Sequence, residues 1–228
     1  MPQLRLGEAE RHALACEASR LSVPLGDLAL SRLVEFAELL GFWSEKTNLI
    51  SCRSPRELVA RHLLDSLAPA PLLREVTSVA DLGSGAGFPG IPLAVANPRL
   101  RVLLVEARRR RANFLREVRR SLSLENVEVI EARAEDSRAR PGGLRVDAVV
   151  SRAVWASDEI LEVALPWLGE AGALLWMRSE SSGSRVGSSA VSTGALSWER
   201  TVRYELPGSV ARVIEVFRRS LPGPRSGA

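Results

Sequence analysis

Three glycines spaced two apart carry the strongest chemical signal in this chain. Gly83, Gly85 and Gly87 follow Asp81 in the run VADLGSGAGFPGIPLA at 79–94, behind an apolar stretch of strand length. Glycines let the backbone turn sharply and approach a ligand closely, because no Cβ intervenes. The loop feeds a helix start near Pro89, where free N–H groups favour an anionic or polar ligand group. Pro89 and Pro92 fit the first turn of that helix, where a missing N–H costs little. Ser84 lies in the same loop and joins the glycines as a ligand-binding candidate. A literal GxGxxG also exists at Gly85, Gly87 and Gly90, but it starts late relative to the strand, whereas Gly83 starts on time.

With Asp81 in front, the glycines read D-x-G-x-G-x-G, the pattern of methyltransferases that hold S-adenosylmethionine. Glu106 ends the next apolar run, about twenty residues past the glycines, where an acid can accept hydrogen bonds from both ribose hydroxyls of a nucleoside cofactor. Alone it is equally a solvated strand-end carboxylate; the loop in front of it favours the ligand role. A third run leads into Arg133-Ala134-Glu135-Asp136, where the adenine of such a cofactor would lie, and Ala134 and Glu135 are candidates there. A fourth leads into Ser151-Arg152-Ala153, at the sheet edge where substrates approach. His62 and Asp65 stand three apart in a helical segment and share a face. A substrate role and a buried polar pair tying that helix to the sheet fit them equally.

A parallel sheet must position these residues. Strand-like runs at 76–82, 101–106, 127–130, 146–150 and 173–177 alternate with helical segments starting near Pro89 and at 109–122 and 158–167. That alternation predicts parallel strands covered on both faces. Two further runs, 201–206 and 211–217, are split by Pro207-Gly208 and predict a hairpin closing the sheet. The first 75 residues read as helical. In 27–45, Leu28, Leu33, Phe36, Leu39 and Leu40 form an apolar stripe that Gly41 and then Thr47-Asn48 end. Ser54-Pro55-Arg56-Glu57 starts the next helix, with Ser54 as N-cap, Pro55 in the first turn and Glu57 placed for a capping box. The expected architecture is an α/β, Rossmann-like class I methyltransferase fold. It has a mostly parallel seven-stranded sheet, an antiparallel C-terminal hairpin and an N-terminal helical cap. The expected division is a cap at 1–75, a methyltransferase domain at 76–220 and a disordered tail at 221–228. The Ser/Gly-rich stretch after Arg178 reads as a flexible connection or a weakly formed helix.

Composition narrows the classes. The chain has 228 residues, 46% hydrophobic and 25% charged, ordinary values for a globular protein. Cys16, Cys52, His12 and His62 are too few and too scattered for a zinc site, so no metal is expected. The N-terminus lacks the apolar core of a signal peptide and no stretch approaches the ~18 apolar residues of a membrane span. A cytoplasmic protein without membrane contact is expected. Lys46 is the sole lysine, so 31 − 1 = 30 of the basic residues are arginine, at a net charge of +4. The arginine fork suits phosphates and guanine edges, although a codon bias would give the same count. The run Arg108 to Arg111, with Arg116, Arg119 and Arg120, surrounds a helix rather than striping one face. It is either a solvated surface or a set of salt-sensitive phosphate contacts.

The chain resembles the RsmG (GidB, glucose-inhibited division protein B) methyltransferases, which make N7-methylguanine in bacterial 16S rRNA. The matching pieces run in family order: Trp43 to Leu49 (W-x4-NL), Arg61-His62-x-x-Asp65-Ser66-Leu67, DLGSGAGFPGIPLA, Arg111-x-x-Phe114-Leu115, Arg133-Ala134-Glu135 and Ser151-Arg152-Ala153. The resemblance implies S-adenosylmethionine as cofactor, with contacts at Gly83, Phe88, Ala134, Glu135 and Arg152. It implies a structural or RNA-facing role for His62 and Asp65, and 16S rRNA or the 30S subunit as partner. His62, Asp65, Arg152 and Arg178 are the substrate candidates. Where the family has Lys-Gly after its fifth strand, this chain has Arg178-Ser179, which keeps the charge without lysine's proton chemistry. A monomer is favoured, although the sequence does not set the oligomeric state.

Guanine N7 has a lone pair and no proton, so methylation there needs no general base. Asp65 and Arg152 are candidates to act at the reacting base, and no residue is assigned as catalytic. A carboxylate, Asp65 or Asp136, could offset the positive charge the guanine gains. A methyltransferase for another RNA or a small molecule would share the loop. A nicotinamide oxidoreductase would use the Gly85-start motif, and a non-catalytic rRNA-binding or assembly protein would bind no cofactor.

Overall fold

The computed structural model describes residues 4–47, 49–52, 54–152, 158–179, 195–208 and 210–220. Asn48, Ala153, most of the Ser/Gly-rich stretch (180–194) and the tail at 221–228 lie outside the described residues.

Helices α1 (Glu8–Arg20) and α2 (Asp27–Thr47) come first. A third helical stretch begins α-helical at Pro55–Leu58 (α3), widens into a π turn at Val59–Leu63 and returns to α at Leu64–Leu67 (α4). Then β1 (Ser78–Leu82), α5 (Gly90–Ala96), β2 (Arg101–Val105), α6 (Arg109–Ser121), β3 (Val127–Ile130), β4 (Val146–Arg152) and α7 (Glu159–Ala164) alternate. The chain closes with β5 (Leu168–Ser179), β6 (Leu196–Leu206) and β7 (Val210–Arg219). The sheet order is β3-β2-β1-β4-β5-β7-β6. β1 to β5 run parallel, and β7 inserts antiparallel between β5 and β6. This is the expected seven-stranded α/β architecture with its terminal hairpin. Strand order reverses between β1 and β4, and in such sheets ligands bind at the crevice outside the carboxyl ends of those strands.

Continuous apolar runs form the central strands because both sheet faces are covered. Val79, Leu104, Val150 and Met177 point to one face, where they join Leu33, Phe36, Leu40, Leu58, Leu64, Ile91 and Phe114 from the helices. Ala80, Leu103, Val149, Leu174 and Trp176 point to the other, against Ile160, Leu161 and Trp167. The N-terminal helices thus share the core of the sheet's first face. Among the described residues no helix is long and apolar enough to cross a membrane.

Local signals explain most boundaries. Ser54 caps α3 as expected, its Oγ accepting from the Glu57 N–H at 3.2 Å, with Pro55 first in the helix. Two expectations for α2 fail. Gly41 does not end it; the N-terminal segment crosses there so closely that an added Cβ would stand 3.1 Å from Leu4 N. That glycine is a packing device. Leu28 leaves the stripe, being 65% exposed, because it sits in the first turn of α2 ahead of the buried Leu33 and Phe36. β5 starts at Leu168 rather than 173, and β6 at Leu196 rather than 201.

Candidate functional site

The glycine loop follows β1 at the switch point. Gly83, Gly85 and Gly87 have φ of 75°, 59° and 91°, the left-handed region where a Cβ is strained. Their neighbourhoods differ. An added Cβ at Gly87 would lie 2.7 Å from Ile91 Cγ1, and one at Gly90 2.2 Å from Leu104 Cδ2, so both let α5 pack close. At Gly85 it would meet nothing nearer than Arg111 Nη1 at 3.7 Å. A side chain at Gly85 would thus meet only ordinary contacts, and its positive φ is what calls for glycine there.

Backbone and side-chain hydrogen bonds together hold the loop. The Gly83 and Ser84 amides both donate to Val105 O, at 2.9 and 3.0 Å, and the Ser84 hydroxyl donates to Asp81 O at 2.9 Å. Glu106 accepts from the Gly85 N–H at Oε2 (2.9 Å) and from the Arg108 N–H at Oε1 (2.7 Å). The sequence suggested Glu106 as a ribose acceptor or a solvated strand-end carboxylate; it is buried, and it clamps the loop to the turn after β2. Each of its oxygens keeps a second lone pair for a ligand hydroxyl.

Asp81 is fully buried, and its Oδ2 accepts from the Gly90 N–H at 2.9 Å. Its Oδ1 is buried with no hydrogen-bond partner among the described residues. Burial pushes its pKa up to about 7, against the smaller opposing pull of the Gly90 N–H and the Arg152 charge. An uncompensated buried carboxyl oxygen is costly and marks a place where a polar or cationic group fits.

The second half of the site comes from elements far apart in sequence. Arg152, at the end of β4, donates from Nη1 to Asp65 Oδ2 at 3.0 Å, and its guanidinium carbon lies 5.1 Å from the Phe88 ring centre. Asp65 on α4 also accepts from the Tyr204 hydroxyl at Oδ1, 2.7 Å away. Arg212 Nε stands 3.8 Å from that oxygen, an ion pair beyond hydrogen-bond range. Phe88 packs 5.2 Å from Phe36 and 5.4 Å from His62 between ring centres. Burial, helped by the Arg152 charge, lowers the His62 pKa to about 4, so the imidazole is neutral at pH 7. Its Nδ1 is buried without a partner among the described residues. The polar pair expected from His62 and Asp65 does tie the helices to the sheet, but through Asp65 and its partners on β4, β6 and β7.

Other expected residues are placed differently. Ala134 is buried and its carbonyl accepts from Trp167 Nε1 at 3.0 Å, while Glu135 beside it is exposed. Asp136 caps the 3-10 turn Ser137–Ala139 and pairs with Arg138, so its carboxylate is engaged locally. Arg178 does not join Arg152: it stacks on Trp176 at 4.4 Å, and Trp176 belongs to the other sheet face. Arg108, Arg109 and Arg110 are exposed at the start of α6, with no acid in its first turn. Cations there oppose the helix dipole, an arrangement that folding alone does not favour. Sequence reasoning missed Tyr204 and Arg212. Tyr204 is the sole tyrosine of the chain, a signal of composition, but its partner lies 139 residues away. Among the described residues no group of three His, Cys, Asp or Glu could hold a metal.

A family model described as rRNA small subunit methyltransferase G, GidB, matches residues 29–195. This chain belongs to that family. A relative named ribosomal RNA small subunit methyltransferase G, from Anaeromyxobacter sp., is 36% identical over 208 residues, 90% of this chain and 96% of its own. Another of that name, from Azoarcus sp., is 39% identical over 170 residues, 75% of this chain and 78% of its own. Among solved structures, an O-methyltransferase from Bacillus cereus in complex with SAH superposes with a TM-score of 0.58 at 16% identity, covering 91% of this chain and 97% of its own. That likeness shows the fold. GidB membership makes the protein a methyltransferase, and the glycine loop, Phe88 and Arg152 are where the family motifs converge in space.

Proposed function

We propose that this GidB protein transfers the methyl group of S-adenosylmethionine to N7 of a guanine in 16S rRNA, within the cytoplasmic small subunit or its precursor. The observation that carries this reading is the paired edge at the switch point: the glycine loop after β1, with Asp81 beneath it, beside Arg152 at the end of β4. The residues fit the cofactor. The left-handed glycines bring the loop backbone within reach of a ligand, and Asp81 Oδ1, without a hydrogen-bond partner among the described residues, suits its cationic amino-acid end. Gly83, Ser84, Gly85, Gly87, Phe88, Glu106, Ala134, Glu135 and Arg152 complete the set of cofactor-binding residues. Bound there, the cofactor supplies an electrophilic methyl group.

The protein's part is to orient and to balance charge. N7 has no proton to remove, and the site is built accordingly. Asp65 is committed to Arg152 and Tyr204, and the lowered pKa of His62 makes it a weak base, which suits a reaction that needs none. Holding N7 in line with the methyl carbon supplies several kcal/mol. The guanine becomes cationic as the bond forms. Asp65 offsets the positive charge of Arg152, and burial keeps His62 uncharged, so the product cation meets little repulsion. Asp65 thereby acts through Arg152 instead of touching the base. The exposed Arg108 to Arg110 lie at the same carboxyl edge and would meet RNA phosphates. Incubating the protein with labelled S-adenosylmethionine and unmodified 30S subunits tests the reading: label should enter 16S rRNA and not transfer RNA. Clear cofactor binding with no label in any ribosomal RNA would overturn the acceptor.

A further inference from the structure

Asp65 has one carboxylate and three suitors. Arg152 holds Oδ2 at 3.0 Å; Tyr204 holds Oδ1 at 2.7 Å; Arg212 Nε waits 3.8 Å from that same Oδ1 and is buried without a hydrogen-bond partner among the described residues. The three arrive from different strands. Arg152 ends β4, whereas Tyr204 and Arg212 face each other in register across the β6–β7 hairpin. The carboxylate is 4% exposed, so solvent does not screen this competition. A second arginine hydrogen-bonded to Asp65 would draw the carboxylate toward β7 and weaken its hold on Arg152.

We propose that Tyr204 is a positioning residue of the methyltransferase site. Its hydroxyl occupies Asp65 Oδ1, keeps Arg212 outside hydrogen-bond range, and so leaves Oδ2 to hold Arg152 over Phe88. The inference rests on the cofactor-site reading above, because Phe88 belongs to the glycine loop. The phenol suits this role because burial and the adjacent carboxylate raise its pKa, so it stays a donor across the working range. A phenol occupies one acceptor without adding charge, whereas a cation in its place would make Asp65 the partner of three positive groups.

The test is Tyr204→Phe, which deletes the hydroxyl and keeps the ring. Calorimetric titration with S-adenosylmethionine should show about tenfold weaker binding, the scale of one hydrogen bond to a charged group. Two combinations separate positioning from mere structure. In an Arg152→Ala background the same substitution should add less than about twofold, as coupled residues require. Adding Arg212→Met to Tyr204→Phe removes the competitor and should restore affinity to within about twofold of the parent, since coupled effects do not add. Equal losses with and without Arg152, or no rescue by Arg212→Met, would overturn the inference. A second readout needs no cofactor. His62 is one of only two histidines, and its ring touches the same Phe88 that lies under Arg152. In Tyr204→Phe its imidazole NMR signal should shift while that of His12 on α1 stays, and should return with Arg212→Met. A His62 signal that does not move would refute the proposal. A parent protein that binds no S-adenosylmethionine would count against the proposed function, with the NMR result still deciding this one.

Discussion

Replacing Gly90 by alanine should destabilise this protein, although helix propensity alone argues the reverse. Gly90 is the first residue of α5, and glycine to alanine within a helix is ordinarily worth up to about 1 kcal/mol in favour of alanine. Here the added Cβ would stand 2.2 Å from Leu104 Cδ2, 2.8 Å from Asp81 Oδ2 and 3.2 Å from Asp81 Cβ. All three atoms belong to fully buried residues on β1 and β2, so the clash cannot be relieved toward solvent. Overpacking of this kind costs about 1–3 kcal/mol. Moving α5 outward would also stretch the Gly90 N–H to Asp81 bond, now 2.9 Å, worth about 1–3 kcal/mol because its acceptor would be left buried and less satisfied. The net expectation is a loss of about 2–4 kcal/mol. Urea unfolding followed by circular dichroism measures it, with an unchanged m value showing that the midpoint reports stability. S-adenosylmethionine affinity should fall as well, since the same shift moves Asp81. A variant as stable as the parent, or more so, would refute the packing argument for this glycine.

Asp81→Asn tests the buried carboxyl. With the folded pKa raised from 3.8 to about 7, the parent's contribution from this group is fully present below pH 4 and is lost as pH rises through 7. Unfolding measured at pH 5 and pH 8 should therefore show the variant gaining about 2–3 kcal/mol relative to the parent over that interval; a pH-independent difference would contradict the shift. Asp65→Ala leaves the half-buried Arg152 without its buried counter-charge and should cost about 3 kcal/mol, the low end for a broken buried pair, read from urea midpoints. Methyl transfer should fall with it, and a loss below about 1 kcal/mol would show the pair to be dispensable. Changing Arg108, Arg109 and Arg110 together to Ser should leave cofactor affinity intact and reduce the salt slope of rRNA binding by about 2–3, from filter binding over a range of potassium concentrations. An unchanged slope would place the RNA elsewhere.

The parts of the fold legible in the sequence are those where one local rule acts alone. β1, β2 and β4 are short, largely apolar runs buried on both faces, and β3 is a short run of branched apolar residues at the sheet edge, so their positions follow from local pattern. β5 is harder because its first residues, Leu168 to Gly172, include two glycines and an acid, and they pair only once with β4, across an irregularity. β6 pairs along one edge alone, and a register shift between Trp198 and Arg200 breaks its alternation at Glu199-Arg200-Thr201, so its first five residues do not read as strand. Gly41 looked like a helix stop because its reason, close approach of Leu4, lies in another segment. The glycine loop was legible since its function resides in backbone conformation. The Asp65 cluster was not. Tyr204 and Asp65 meet only once the hairpin is built, and which sheet face Arg178 shares with Trp176 is undefined until strand order is known. Glu106 shows a third case: the residue was legible, while its grip on two backbone amides required the loop's geometry.

The measurement that bears most directly on the proposed activity is chemical location of the transferred methyl. 16S rRNA methylated by the protein would be reduced with borohydride and cleaved with aniline, which breaks the chain at N7-methylguanine. One new cleavage site, dependent on both the protein and S-adenosylmethionine, is the predicted result. Methyl label in the RNA without any cleavage would put the methyl on another atom and contradict a site that works without a base.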